Sequence, residues 1–138
     1  MRSIMAFVLL GGLFLCAPFP VQGAAEVADC SIDLGPCTSS VAGRQVLFEI
    51  SPRPVRSMKE LTFTIRAAGR NTAPAVLLDL SMPGMYMGRN EVVLKKSPDG
   101  SYRGKGIIPR CPSGKKLWRA EVTVPGAGKV SYTFNVNP

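Results

Sequence analysis

The chain of 138 residues contains no histidine. That absence excludes a Ser-His-Asp triad, a Cys-His nucleophile pair, and the imidazole-based zinc and copper(II) sites that exported metalloenzymes commonly use. Tryptophan occurs once, no Cys-x-x-Cys is present, and no stretch repeats its apolar residues with a helical period. A thiol-disulfide enzyme built on βαβ units is therefore disfavoured. The longest apolar run, Ile4 to Phe19, is interrupted by Gly11-Gly12 and Pro18 and is short of the roughly 20 residues that span a bilayer.

That run has a different use. Arg2 precedes it and Val21-Gln22-Gly23-Ala24 follows it, the order of charged region, apolar region and small residues found in a secretory signal peptide. We expect residues 1–23 to be removed between Gly23 and Ala24, which places the protein in a periplasmic or secreted compartment with no stable membrane span. A lipoprotein is disfavoured, because Cys16 follows Phe14-Leu15 and Cys30 follows Asp29. Removing 23 residues from 138 leaves 115, enough for one core and one domain. Cys30, Cys37 and Cys111 remain. An odd count in an exported protein implies one disulfide and one free thiol, or three thiols kept reduced. Cys30 and Cys37, seven apart across Gly35-Pro36, can close a small loop, and either can equally pair with Cys111. The positive balance is modest and spread along the chain, which disfavours nucleic acid as a partner.

Residues 24–44 form a Cys-containing segment with little periodicity. From residue 45 to 138 short alternating runs are separated by Pro, Gly, Asn and Asp, as in an all-β domain. Val46, Phe48 and Ile50 share one face, as do Leu61, Phe63 and Ile65. Ala75 to Leu80 is nearly all apolar, and Asn90 to Lys96 ends at the turn Ser97-Pro98-Asp99-Gly100. Gly104 and Gly106, within Ser101 to Pro109, mark a bulge or a close approach of another strand. Trp118, Ala120, Val122 and Val124, then Val130, Tyr132, Phe134 and Val136, complete the inward set. The expectation is an immunoglobulin-like antiparallel β-sandwich of about seven strands.

Between the third and fourth runs lies Ser81-Met82-Pro83-Gly84-Met85-Tyr86-Met87-Gly88-Arg89-Asn90, with three thioethers in six positions. If seven strands alternate in direction, connections one, three and five share an end. Met58, Met82, Met85, Met87 and Cys111 then gather there with Arg53, Arg56, Arg89, Arg110 and Lys115. Thioether and thiolate sulfurs are soft donors suited to copper(I), so Met82, Met85, Met87 and Cys111 are the candidate metal ligands. The competing use of the same methionines is to plug the irregular end of a core. The arginines suit docking of an acidic envelope protein.

The series Asp79-Leu80-Ser81-Met82-Pro83-Gly84-Met85-Tyr86-Met87, Val92-Val93-Leu94, Tyr102-Arg103-Gly104-Lys105-Gly106, Lys116-Leu117-Trp118-Arg119-Ala120-Glu121-Val122 and Tyr132-Thr133-Phe134-Asn135-Val136 resembles the YtkA-like and FixH-like domains. The resemblance spans roughly residues 45 to 136. It implies a small exported or tethered immunoglobulin-like module and, through the FixH-like members, a link to copper delivery to cytochrome oxidase; our expectation is a non-enzymatic accessory or binding module, with an acidic envelope protein or a copper-oxidase assembly factor as partner. This chain departs from the FixH pattern in having no transmembrane anchor, no histidine beside the methionines, and three added cysteines.

Overall fold

The computed structural model describes residues 26–138; the expected signal peptide, residues 1–23, lies outside them. Eight strands form: β1 Cys37–Val41, β2 Arg44–Ser51, β3 Glu60–Ala67, β4 Ala75–Ser81, β5 Glu91–Lys96, β6 Tyr102–Ile107, β7 Leu117–Val124 and β8 Gly128–Asn135. All ladders are antiparallel and join in one sheet of order β1-β2-β3-β6-β5-β4-β7-β8, which winds round until β8 packs beside β1, nearly closing a barrel. The all-β antiparallel class expected from the sequence is the class that forms.

The seven runs of residues 45–136 each become a strand. The eighth, β1, comes from the segment assigned to residues 24–44. Its inward positions are Cys37, Ser39 and Val41, so the apolar alternation that signals a strand is absent. The ladder to β2, running from Cys37 opposite Phe48 to Val41 opposite Arg44, holds it instead.

Phe48 sits at the centre of the core, with ring centroids 5.1 Å from Tyr132, 5.7 Å from Phe134 and 6.4 Å from Phe63. Contacts of this kind contribute roughly 0.5–1.5 kcal/mol each beyond the area they bury. The Tyr132 hydroxyl crosses from β8 to β2, donating to the Val46 carbonyl at 2.7 Å. Trp118 is buried among these residues, as its alternation with Arg119 and Glu121 requires.

Residues 27–33 strap the open edge of β8. The Asp29 and Cys30 amides both donate to the Thr133 carbonyl, and the Thr133 amide donates to Asp29 Oδ1 at 2.8 Å. Thr133 is therefore buried although the period of two turns it away from the core. The strap is closed by a Cys30–Cys37 disulfide, while Cys111 is a free thiol. At the far end of the strap Asp33 accepts from the Val55 amide and the Asn137 side chain.

β5 and β6 share only two paired positions, Lys95 with Arg103 and Lys96 with Tyr102. Beyond these, Gly104 and Gly106 let β5 pack closely over β6. A Cβ on Gly104 would lie 2.4 Å from the Val93 carbonyl oxygen, and one on Gly106 would lie 2.7 Å from Val92 Cγ2. The close approach expected at these glycines is thus what they permit.

Candidate functional site

Strand alternation sends the β2–β3 connection (52–59), the β4–β5 connection (82–90) and the β6–β7 connection (108–116) to the same end of the barrel. Counting seven strands leads to the same grouping, because the additional strand precedes all of them and leaves the parity intact. Hydrogen bonds tie the loops together. The Met58 amide donates to the Ile108 carbonyl at 2.9 Å, and Asn90 Nδ2 donates to the Ile107 carbonyl at 3.3 Å.

Within the 82–90 loop, Pro83-Gly84 makes a tight turn. Gly84 adopts φ +72°, a conformation that favours glycine, and the Met85 amide donates to the Met82 carbonyl at 3.1 Å. Met82 continues the inward alternation of β4 into the core, where 4% of its surface remains exposed, and the turn holds Met85 half-buried against that core. Met87 is likewise half-buried against it. Met58 behaves differently: its side chain is 60% exposed.

Cys111 opens the turn Cys111-Pro112-Ser113-Gly114, which closes through the Gly114 amide on the Cys111 carbonyl at 3.0 Å. The Cys111 side chain is buried, with Sγ 3.5 Å from Met85 Sδ and 3.0 Å from Ser113 Oγ. The Ser113 hydroxyl holds the thiol below its ordinary range; burial opposes this, while the Ser113 and Lys115 amides and the Lys115 charge reinforce it. Of the four candidate ligands, the fold brings Cys111 and Met85 into contact, keeps Met87 on the same loop, and turns Met82 inward. Ser113 is the member that sequence reasoning missed. A hydroxyl two residues after a cysteine in a Pro-Gly turn is the signal that points to it.

Two grooves flank this cluster and share Lys115 and Lys116. One, of about 310 Å³, is lined by Ser57, Cys111, Lys115 and Trp118; the other, of about 540 Å³, by Met82, Pro83, Gly84 and Lys115. Among the described residues no group of three His, Cys, Asp or Glu side chains converges. A metal held at this end would therefore take thioethers as most of its donors, with the Cys111 thiolate as a charged one; the Glu26 carboxylate, which lines the second groove, is paired with Arg119. Such a set suits a soft monovalent ion better than zinc, calcium or magnesium.

No family model, curated protein or solved structure matches this chain. The functional reading rests on the chemistry of this end of the barrel.

Proposed function

We propose that the protein is an exported, non-enzymatic accessory module, akin to YtkA-like and FixH-like domains, that binds copper(I) at the sulfur-bearing end of the barrel. The observation that carries this is the 3.5 Å contact between Cys111 Sγ and Met85 Sδ, made by two loops far apart in sequence. A thiolate and a thioether already in contact need little rearrangement to share a soft ion, and Met87 offers a further sulfur from the same loop. Met82, packed beneath them, steadies the turn and completes the candidate set. Binding displaces the thiol proton, so a lowered thiol pKa favours uptake. The cationic loops around the site suit docking on an acidic envelope protein or copper-oxidase assembly factor that hands the ion over.

The mature domain should take up one equivalent of copper(I) in a competition titration under reducing conditions. Replacing Met82, Met85 and Met87 by Leu should abolish uptake while leaving the fold intact, since such swaps nearly conserve volume. Failure of the native domain to compete for the ion would sink the proposal.

A second reading is favoured by the burial of Met82: the loop is a core plug, and the domain is a metal-free structural or interaction module of a cell-envelope complex. Copper(I) uptake that survives loss of all three methionines would favour neither use of the loop and would point to Cys111 alone.

A further inference from the structure

The connections at the sulfur-bearing end carry three cations in 52–59 (Arg53, Arg56, Lys59), one in 82–90 (Arg89) and three in 108–116 (Arg110, Lys115, Lys116), and no carboxylate. All seven are exposed. Arg53 pairs with Glu49 and Arg89 with Glu91 on the adjoining strands; among the described residues the other five make no ion pair. The carboxylates bordering this end are occupied: Asp33 by the Val55 amide and Asn137, Glu26 by Arg119, and Glu60 by Lys105. At the opposite end the connections 42–43, 68–74, 97–101 and 125–127 carry only Arg70 and Asp99, which cancel. The strands bordering that end add Arg44, Arg66, Lys95, Lys96 and Arg103, so both ends are cationic, and what sets the sulfur-bearing end apart is the apolar side chains beside its charges.

Apolar side chains project among the cations. Tyr86 is 90% exposed, Met58 60% and Ile107 49%, one from each loop or its adjoining strand. They share a rim, because the Met58 amide is bonded to the Ile108 carbonyl and the Asn90 side chain to the Ile107 carbonyl. Long cationic side chains around a projecting tyrosine and two aliphatic side chains make an amphipathic tip. Its apolar groups protrude, and its charges are dispersed over three loops without fixed partners. That arrangement complements a broad, soft anionic layer into which side chains can sink, whereas a protein interface concentrates its energy where anchors fill matching pockets.

We propose that this end docks on the surface of an anionic phospholipid bilayer, the cations against lipid phosphates and Tyr86, Met58 and Ile107 entering the headgroup layer. The docking requires no metal, so it stands or falls separately from copper(I) binding.

Sedimentation of the metal-free mature domain with vesicles tests it. Vesicles of phosphatidylcholine and phosphatidylglycerol in about a three-to-one ratio should carry the protein down, while pure phosphatidylcholine should not, since each cation near an anionic leaflet raises partitioning by about fivefold. Binding should weaken steeply in about 1 M salt, where the Debye length is about 3 Å. Arg89→Glu with Arg110→Glu should lower partitioning at least about twentyfold. Tyr86→Ser should lower it with the charge unchanged, and Arg70→Glu at the opposite end should leave it unaltered. Equal partitioning onto both vesicle types, or indifference to the double reversal, would overturn the proposal. So would capture by polyglutamate without capture by vesicles, which would leave the tip to the acidic protein partner alone.

Discussion

Replacing Gly104 by Ala tests the corner that sets the distance between the two sulfur-bearing loops. β5 leaves the 82–90 loop and β6 enters the 108–116 loop, so the packing of β5 over β6 fixes how Met85 meets Cys111. An added Cβ at Gly104 would meet the Val93 carbonyl oxygen at 2.4 Å and Leu94 Cδ2 at 2.8 Å. The first is a backbone atom, which can yield only if β5 moves. At Gly106 the obstructing atoms, Val92 Cγ2 at 2.7 Å and Phe63 Cε2 at 3.2 Å, belong to side chains. Overpacking costs about 1–3 kcal/mol and more where backbone must shift, so Gly104→Ala should lose about 3 kcal/mol and Gly106→Ala about 1–2 kcal/mol. At about 4 °C per kcal/mol for a domain of this size, Tm should fall by about 12 °C and by about 4–8 °C respectively. Urea unfolding should show the same order with m unchanged. Combining Gly106→Ala with Val92→Ala should cost less than the sum of the two, because the second change removes the obstruction. A Gly104→Ala protein within about 0.5 kcal/mol of the parent would refute the close packing of β5 on β6.

Three further outcomes are expected. Cys30→Ser with Cys37→Ser opens a loop closed across a sequence separation of seven and should destabilise the domain by about 2–3 kcal/mol, read from denaturant midpoints; thiol counting on denatured, unreduced residues 24–138 should find one thiol. The Cys111 thiolate, followed by its ultraviolet absorbance against a Cys111→Ser blank, should appear at lower pH in the folded domain than in urea, and Ser113→Ala should move it upward. Because the folded value is the lower one, this group adds stability above the unfolded thiol's pKa and loses it as pH falls through the folded value.

The strands of residues 45–136 were legible because each core face repeats with a period of two, and a half-buried sheet leaves that mark on composition. β1 was not, since its inward residues are a half-cystine, a serine and a valine. Thr133 reads as outward-facing, yet a strap more than 100 residues earlier in the chain covers it. Non-local pairing of that kind leaves no local pattern. The shared end of the three loops followed from alternation alone, and so did the gathering of Met85 with Cys111. The burial of Met82 continues the inward alternation of Val76, Leu78 and Leu80; what alternation could not supply was the depth of the methionines beyond strand ends, Met85 and Met87 half-buried and Met58 exposed. The Ser113 hydroxyl contact on Cys111 was set by a turn whose closure only the fold reveals.

X-ray absorption at the copper edge of the mature domain loaded with copper(I) tests the central proposal most directly. In a chain without histidine, coordination by Cys111 and the methionines of the 82–90 loop should give a first shell composed of sulfur, diminished by Met85→Leu and lost with Cys111→Ser and Met85→Leu together. A first shell of oxygen or nitrogen, or a sulfur shell indifferent to those two substitutions, would contradict the assignment of this end of the barrel as a copper(I) site.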